Sequence, residues 1–195
     1  MRNEITVWSS PMGGRQRVAR IPYADTDRPE LRELVERIVQ ERGQILHLYA
    51  MLLNSPRVAE GWLQYLTAIR GKCTLPGRLR ELAIIRIAVL NDAPYEAEQH
   101  APIALREGLT QMQLDDIPAW QQSSRFDDIE RAVLAYTDAM TRDIHVPDPV
   151  FAGVRDHFDA QRVVELTATI AAYNMVSRFL EALQIRSTDP LPGRP

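Results

Sequence analysis

Nine consecutive residues constrain this chain more than any others: Leu82-Ala83-Ile84-Ile85-Arg86-Ile87-Ala88-Val89-Leu90 are apolar apart from one arginine. A helix that is apolar on most of its faces belongs in the middle of a protein. Arg80 and Glu81 lie just before the run, so a carboxylate is carried to the edge of that core. Asn91-Asp92 can end this helix and cap the next, and Pro94 suits a first helical turn, where its missing N–H is no loss. The second helix then carries Glu96 and His100, four residues apart and so on one face. Antiparallel packing of the two helices brings Glu81 towards that face. Two carboxylates and an imidazole would then share a pocket walled by aliphatic side chains, a site suited to proton transfer.

Blander readings exist for the same residues. A Glu-x-x-x-His pair on a helix also makes a surface ion pair. Glu81 near a helix start is also favoured by the helix dipole alone. A role for Glu81 as acid or base needs its pKa raised by burial.

The rest of the chain reads as helices separated by glycine, proline and capping residues. Residues 1–25 hold Pro11, Gly13, Gly14 and Pro22 and no helical period, which predicts an extended arm. Leu31, Leu34, Val35 and Ile38 make a stripe that ends near Gly43, and Ile45, Leu48, Tyr49, Leu52 and Leu53 make the next. Asn54-Ser55-Pro56 caps a third helix bearing Val58, Trp62, Leu63, Leu66 and Ile69, closed by Gly71. Pro102, two residues past His100, predicts a bend beside the candidate site. Thr110-x-x-Gln113 reads as a capping box for a short helix ending before Pro118, and Gln121-Gln122-Ser123-Ser124 as a loop. Ile129, Ala132, Val133, Tyr136 and Met140 share a face, Asp148-Pro149 starts another short helix, and residues 160–185 are the longest helix candidate. Residues 186–195, RSTDPLPGRP, read as a flexible tail. Strand alternation is nowhere evident, so the fold class is all-α.

An internal echo predicts a pseudo-repeat. Leu63-x-Tyr65-x-x-Ala68-x-Arg70 recurs as Leu134-x-Tyr136-x-x-Ala139-x-x-Arg142, and Arg80-Glu81-Leu82 with its apolar helix as Val164-Glu165-Leu166 with its own. The expected organisation is a single all-α domain over residues 26–185 with halves at about 44–117 and 126–185. Near the place where the first copy has its Tyr-Glu and His, the second has Asn174-Met175-Val176-Ser177-Arg178.

Composition narrows the functions. With 195 residues the chain has room for a sizeable core, and a formal charge of −3 argues against a nucleic-acid partner held by bulk electrostatics. No apolar stretch of about 20 residues exists, so a membrane span is not expected. The start has no apolar signal region, and with one cysteine no internal disulfide can form, which makes a cytoplasmic, reduced setting the expectation. Cys73, the lone thiol, has no resolving partner in the chain and reads as structural or incidental. His47, His145 and His157 sit in separate segments and read as packing or surface residues. Two carboxylates and one imidazole can hold a divalent ion, but one histidine is thin provision, and no metal is expected. Trp62 and Tyr95 are candidates to line a substrate pocket or to fill core. Arg80 and Arg86 are candidates to grip a substrate carboxylate by a two-pronged hydrogen bond or to form salt bridges.

The order Arg80-Glu81-Leu82, an apolar helix, Asn91-x-x-x-Tyr95-Glu96-x-x-x-His100, then Ala104 and Glu107-Gly108-Leu109-Thr110 resembles the carboxymuconolactone decarboxylase family within the alkylhydroperoxidase D superfamily. The resemblance covers about residues 44–115. The redox branch of that superfamily carries Cys-x-x-Cys-x-x-x-His with a glutamate twelve residues before the first cysteine. On this chain the glutamate falls on Glu81 and the histidine on His100, while the two cysteine positions are Ala93 and Glu96. The resemblance implies an alkylhydroperoxidase D-like helical bundle, a homo-oligomer (trimer or hexamer), and a cofactor-free, metal-free enzyme. It implies catalysis by Glu81, Glu96 and His100 on a small acidic lactone or β-keto-type acid, by decarboxylation or the related hydrolysis or isomerisation. Glu96 would be a second acid/base group or would tune His100. Two other readings stand beside it. One is a peroxidase-related antioxidant protein, which needs a thiolate and a resolving thiol; the other is a non-catalytic helical binding module.

Overall fold

The computed structural model describes residues 18–192. The first seventeen residues, and with them most of the expected arm, lie outside the described residues, as do the last three. Nine α-helices run through the described residues: α1 (Arg32–Arg42), α2 (His47–Leu52), α3 (Pro56–Gly71), α4 (Gly77–Leu90), α5 (Pro94–Arg106), α6 (Gln111–Asp116), α7 (Asp128–Arg142), α8 (Asp148–Arg155) and α9 (Ala160–Leu183). No strand occurs among them, so the fold is all-α. None of these helices is long and apolar enough to cross a membrane. The chain divides into two compact units, one of Thr74–Phe179 and the other, within the described residues, of 18–73 with 180–192. The boundary after Cys73 falls inside the first of the two segments that echo one another. Compact units and sequence echo are therefore different divisions of the chain.

In the unit Thr74–Phe179, α4 is the centre: every residue from Glu81 to Ala88 is buried, as an all-round apolar helix requires. Its main neighbours are α5 and α7. The turn out of α4 is closed by the Ala93 amide on the Ala88 carbonyl at 2.9 Å. Asp92 bends it by adopting φ +49°, a left-handed conformation that Asp tolerates better than most residues. The expected side-chain cap by Asn91-Asp92 is absent: Ala93 is the N-cap of α5, and Asn91 instead donates its amide to Asn174 at 3.1 Å. Pro94 opens α5 as expected, and the helix continues through Pro102 to Arg106.

Two capping boxes fix the starts of later helices. Thr110 and Gln113 cap α6, and Asp127 and Glu130 cap α7. A 3-10 turn, Ile117–Gln122, follows α6, so the loop expected from Gln121 starts at Ser123 instead. Glu130 does more than cap. It is buried, it receives Arg78 from the first turn of α4 at 2.6 Å, and it accepts the Gln113 amide at 3.3 Å. Arg78 also reaches the Gly108 carbonyl. Just before α4, the Thr74 and Leu75 amides donate to the Glu165 carboxylate on α9, each at 2.8 Å. Burial pushes the Glu165 carboxyl up, but these hydrogen bonds together with that of Gln161 outweigh it and leave the group below the ordinary glutamate value.

In the second unit, Gly43 ends α1 in the left-handed region (φ +80°) that glycine occupies without steric cost. Tyr49, Ala50, Met51 and Leu52 bury most of α2. Arg42 from α1 donates to the Tyr49 hydroxyl at 3.0 Å and to Thr67 on α3 at 2.8 Å, tying three helices together. The Ala24 amide bonds the Ala50 carbonyl at 3.0 Å, so the described end of the arm is packed down. The segment after α9 was expected to be flexible, yet its described part is held. Tyr23 donates to Asp189 at 2.6 Å, His47 Nε2 meets the Asp189 carbonyl at 2.9 Å, and Arg186 pairs with Glu181 through two contacts of 2.8 Å. The reason is a set of long-range polar partners that the tail's own composition does not reveal.

Candidate active site

Three helices of the unit Thr74–Phe179 build one buried polar cluster. Glu81 sits in the first half of α4 with no solvent exposure, and Glu96 and His100 lie one turn apart on α5, 1% and 7% exposed. The fourfold spacing puts both on one helix face. His100 Nδ1 and Glu81 Oε2 are 2.7 Å apart, so the antiparallel meeting of α4 and α5 takes place. The other oxygen, Glu81 Oε1, accepts from Arg80 Nε at 3.1 Å.

Burial acts first on Glu81 and pushes its carboxyl up. The hydrogen bond and charge of His100, joined by the Arg80 guanidinium, overcome that and hold it below the ordinary glutamate value. The direction is opposite to the rise by burial that a glutamate acid needs, and it makes Glu81 an ionised partner at neutral pH. An ionised carboxylate only accepts hydrogen bonds, so the Nδ1 proton of His100 is the one that fills this contact. The tautomer is thereby set, with Nε2 as the ring nitrogen left to exchange a proton.

The third wall comes from α9, distant from α5 in the sequence. Tyr173 stands edge-on to His100, with 4.9 Å between ring centroids and 89° between planes, a favourable aromatic arrangement. Ser177, one turn on and fully buried, has its hydroxyl 2.7 Å from Glu96 Oε2. Sequence reasoning missed both. The available signal was the Tyr-x-x-x-Ser spacing of α9, which repeats the Glu-x-x-x-His spacing of α5 and can therefore pair with it rung for rung.

The remaining candidates are placed differently. Arg86 is 1% exposed, its guanidinium gripped by Asp138 at 2.5 and 2.8 Å. It also donates to the Ile117 carbonyl at 2.9 Å and the Pro118 carbonyl at 3.2 Å. Its donors hold the turn after α6 to α7 and face away from any substrate role. Tyr95 is buried at the start of α5. Trp62 lies on α3 in the other compact unit, and Cys73 follows that helix in the same unit. Among the described residues there is no group of three or more His, Cys, Asp or Glu side chains with metal-binding geometry. His145 and His157 are exposed, and His47 belongs to the Asp189 contact.

An all-α bundle with a buried glutamate–histidine pair at the meeting of α4 and α5 is what the comparison with known proteins has to match. The carboxymuconolactone decarboxylase family model matches residues 56–139, a segment that contains α3 to most of α7 and all of Glu81, Glu96 and His100. Over that segment the chain is similar to the carboxymuconolactone decarboxylase family. An uncharacterized protein of Escherichia coli (strain K12), YnjA, is 32% identical over 127 residues, 64% of this chain and 66% of its own length. The alkylhydroperoxidase AhpD core of an uncharacterized peroxidase-related protein from Ralstonia eutropha JMP134 superposes with a TM-score of 0.76 at 17% identity, covering 90% of this chain and 95% of that one. The debrominase Bmp8, solved as a cysteine-to-alanine variant in complex with 2,3,4-tribromopyrrole, superposes with a TM-score of 0.72 at 19% identity, covering 85% and 89%. At such identities the two structures establish the shared fold.

Proposed function

We propose that this protein is a cofactor-free acid/base enzyme of the carboxymuconolactone decarboxylase type, acting on a small carboxylated lactone or a related β-keto-type acid. The observation that carries this reading is the buried Glu81–His100 contact of 2.7 Å, with Glu81 ionised. An imidazole whose Nδ1–H is spent on a fixed carboxylate exchanges protons through Nε2 alone, and the same carboxylate stabilises the ring when it is charged. In a decarboxylation the bond to the departing carboxylate breaks, carbon dioxide leaves, and the electron pair stays on the substrate as a dienolate. His100, protonated at Nε2, then delivers its proton to carbon and becomes neutral; one proton is taken from solvent per turnover. Glu81 orients and charges this step, and Glu96 is the second acid/base group. Lactone hydrolysis and isomerisation draw on the same groups.

The test is turnover of carboxymuconolactone and related carboxylated lactones by the full chain, beside His100→Ala and Glu81→Gln. The expected result is carbon dioxide release that falls by about 10²-fold or more in each variant, the usual weight of a positioned proton-transfer group. Unimpaired variants overturn the site. A parallel assay of peroxide consumption with a dithiol reductant, run beside Cys73→Ser, covers the antioxidant reading: peroxide loss that disappears in that variant replaces the present proposal.

A further inference from the structure

The hydroxyl of Ser177 has one proton and two neighbours that ordinarily accept. Glu96 Oε2 is 2.7 Å away and the Tyr173 carbonyl 3.0 Å. If Glu96 is ionised, both neighbours compete for the single hydrogen, and one short contact is left as two facing acceptors. If Glu96 carries a proton, the chain closes without conflict: Glu96 Oε2–H donates to Ser177 Oγ, and Ser177 Oγ–H donates to the Tyr173 carbonyl. We propose that Glu96 rests as the neutral acid, held so by Ser177, and that the site keeps one charged and one uncharged carboxyl side by side on the α5 face.

Two further observations support this assignment. Glu96 is 1% exposed, and burial disfavours a carboxylate. The titratable groups on this face include Glu81 and Arg80 from α4, His100 from α5 itself and Tyr173 from α9. Glu81 keeps an ionised carboxylate through His100 and Arg80, and that charge makes a second negative charge on this face more costly. Pairs of carboxyls pushed apart in this way divide the acid and base roles of a site.

The inference rests on the acid/base reading above and gives Glu96 a defined step in it. As carbon dioxide leaves and charge moves to the substrate's carbonyl oxygen, the Glu96 O–H bond breaks and its proton goes to that oxygen, forming the enol. Ser177 then turns its hydroxyl from the Tyr173 carbonyl to the new carboxylate. When His100 protonates carbon, the enol returns its proton to Glu96, so Glu96 is regenerated and one proton is consumed overall. Ser177 is a positioning residue and Glu96 a catalytic one.

Infrared spectra of the full chain at neutral pH, without substrate, test the resting state directly. The expected result is a protonated-carboxyl C=O band that is lost in Glu96→Gln, kept in Glu81→Gln, shifted in Ser177→Ala and restored by Ser177→Thr, which keeps the hydroxyl. Carbon-13 spectra of glutamate-labelled unmutated protein give the same answer without a variant: one carboxyl signal stays at its protonated position through the range where ordinary glutamates titrate. A wild-type minus Glu96→Gln difference that contains only carboxylate bands, with every carboxyl signal titrating normally, overturns the proposal. Both readouts are independent of turnover, so an absence of lactone decarboxylation with the band present rejects the function and leaves the protonation standing.

Discussion

His100 on α5 and Tyr173 on α9 meet edge to face at 4.9 Å, and one turn away Glu96 and Ser177 meet on the same two helices at 2.7 Å. The numbers rise along one helix as they fall along the other, so α5 and α9 present their polar rungs in antiparallel register. The cluster is therefore made by three helices, and each of its two α5 side chains is held by a partner distant in sequence.

Glu81→Gln keeps size and removes charge. Its expected effect on turnover falls on kcat, by about 10²- to 10⁴-fold, with KM little changed, because the lost interaction matters most when His100 is charged. Steady-state kinetics on the substrate that wild type accepts would show it; a pure KM effect would count against an orienting role.

The lowered Glu81 carboxyl has a consequence for acid stability. Because its folded value lies below its unfolded one, the native state binds fewer protons. The contribution is complete above the ordinary value of 4.5 and is lost as pH falls through the lower native value. Urea midpoints measured from neutral pH into acid should drop more steeply for wild type than for Glu81→Gln in that window. Parallel curves would show that Glu81 is not the group responsible.

Arg86 and Asp138 supply a sharper test of stability. Asp138→Ala strands a guanidinium that is 1% exposed, and leaving a buried charge without its partner costs about 3–5 kcal/mol. A denaturant midpoint nearly unchanged from wild type would mean that the Ile117 and Pro118 carbonyls suffice on their own. Arg86→Met should be milder than the loss of Asp138, since it removes the charge along with the pair.

Tyr23→Phe deletes one hydroxyl, the donor to Asp189 at 2.6 Å. A stability loss of about 1 kcal/mol is expected, together with faster proteolytic trimming after Leu183. Trimming at the wild-type rate would mean that the His47 and Arg186 contacts hold the segment by themselves.

Much of the helical layout is legible locally. Gly43, Pro56, Pro94 and the Thr110–Gln113 box mark starts and stops by rules that operate within one turn of chain. Asp92 misleads because a capping residue and a left-handed turn residue share the same chemistry, and only the Ala93 closure of the α4–α5 turn separates them. In the candidate site, Glu81, Glu96 and His100 are visible because two adjacent helices present them. Tyr173 and Ser177 are not, since their spacing matches that of Glu96 and His100 without naming α5 as the partner, and the pairing of α9 with α5 is a tertiary event. Arg86 shows the same limit from the other side. As a lone charge in an apolar run it looks available, and its claimant, Asp138, stands 52 positions further along the chain.

Glu130 closes the capping box of α7, receives Arg78 from the first turn of α4 and accepts the Gln113 amide at the start of α6. Three helix beginnings thus converge on one carboxylate, like guy-ropes on a single peg. They cannot fray one at a time. Slackening any of them exposes the charge on which the others depend, so the amides at the three starts should open to solvent in a single concerted event rather than three separate ones.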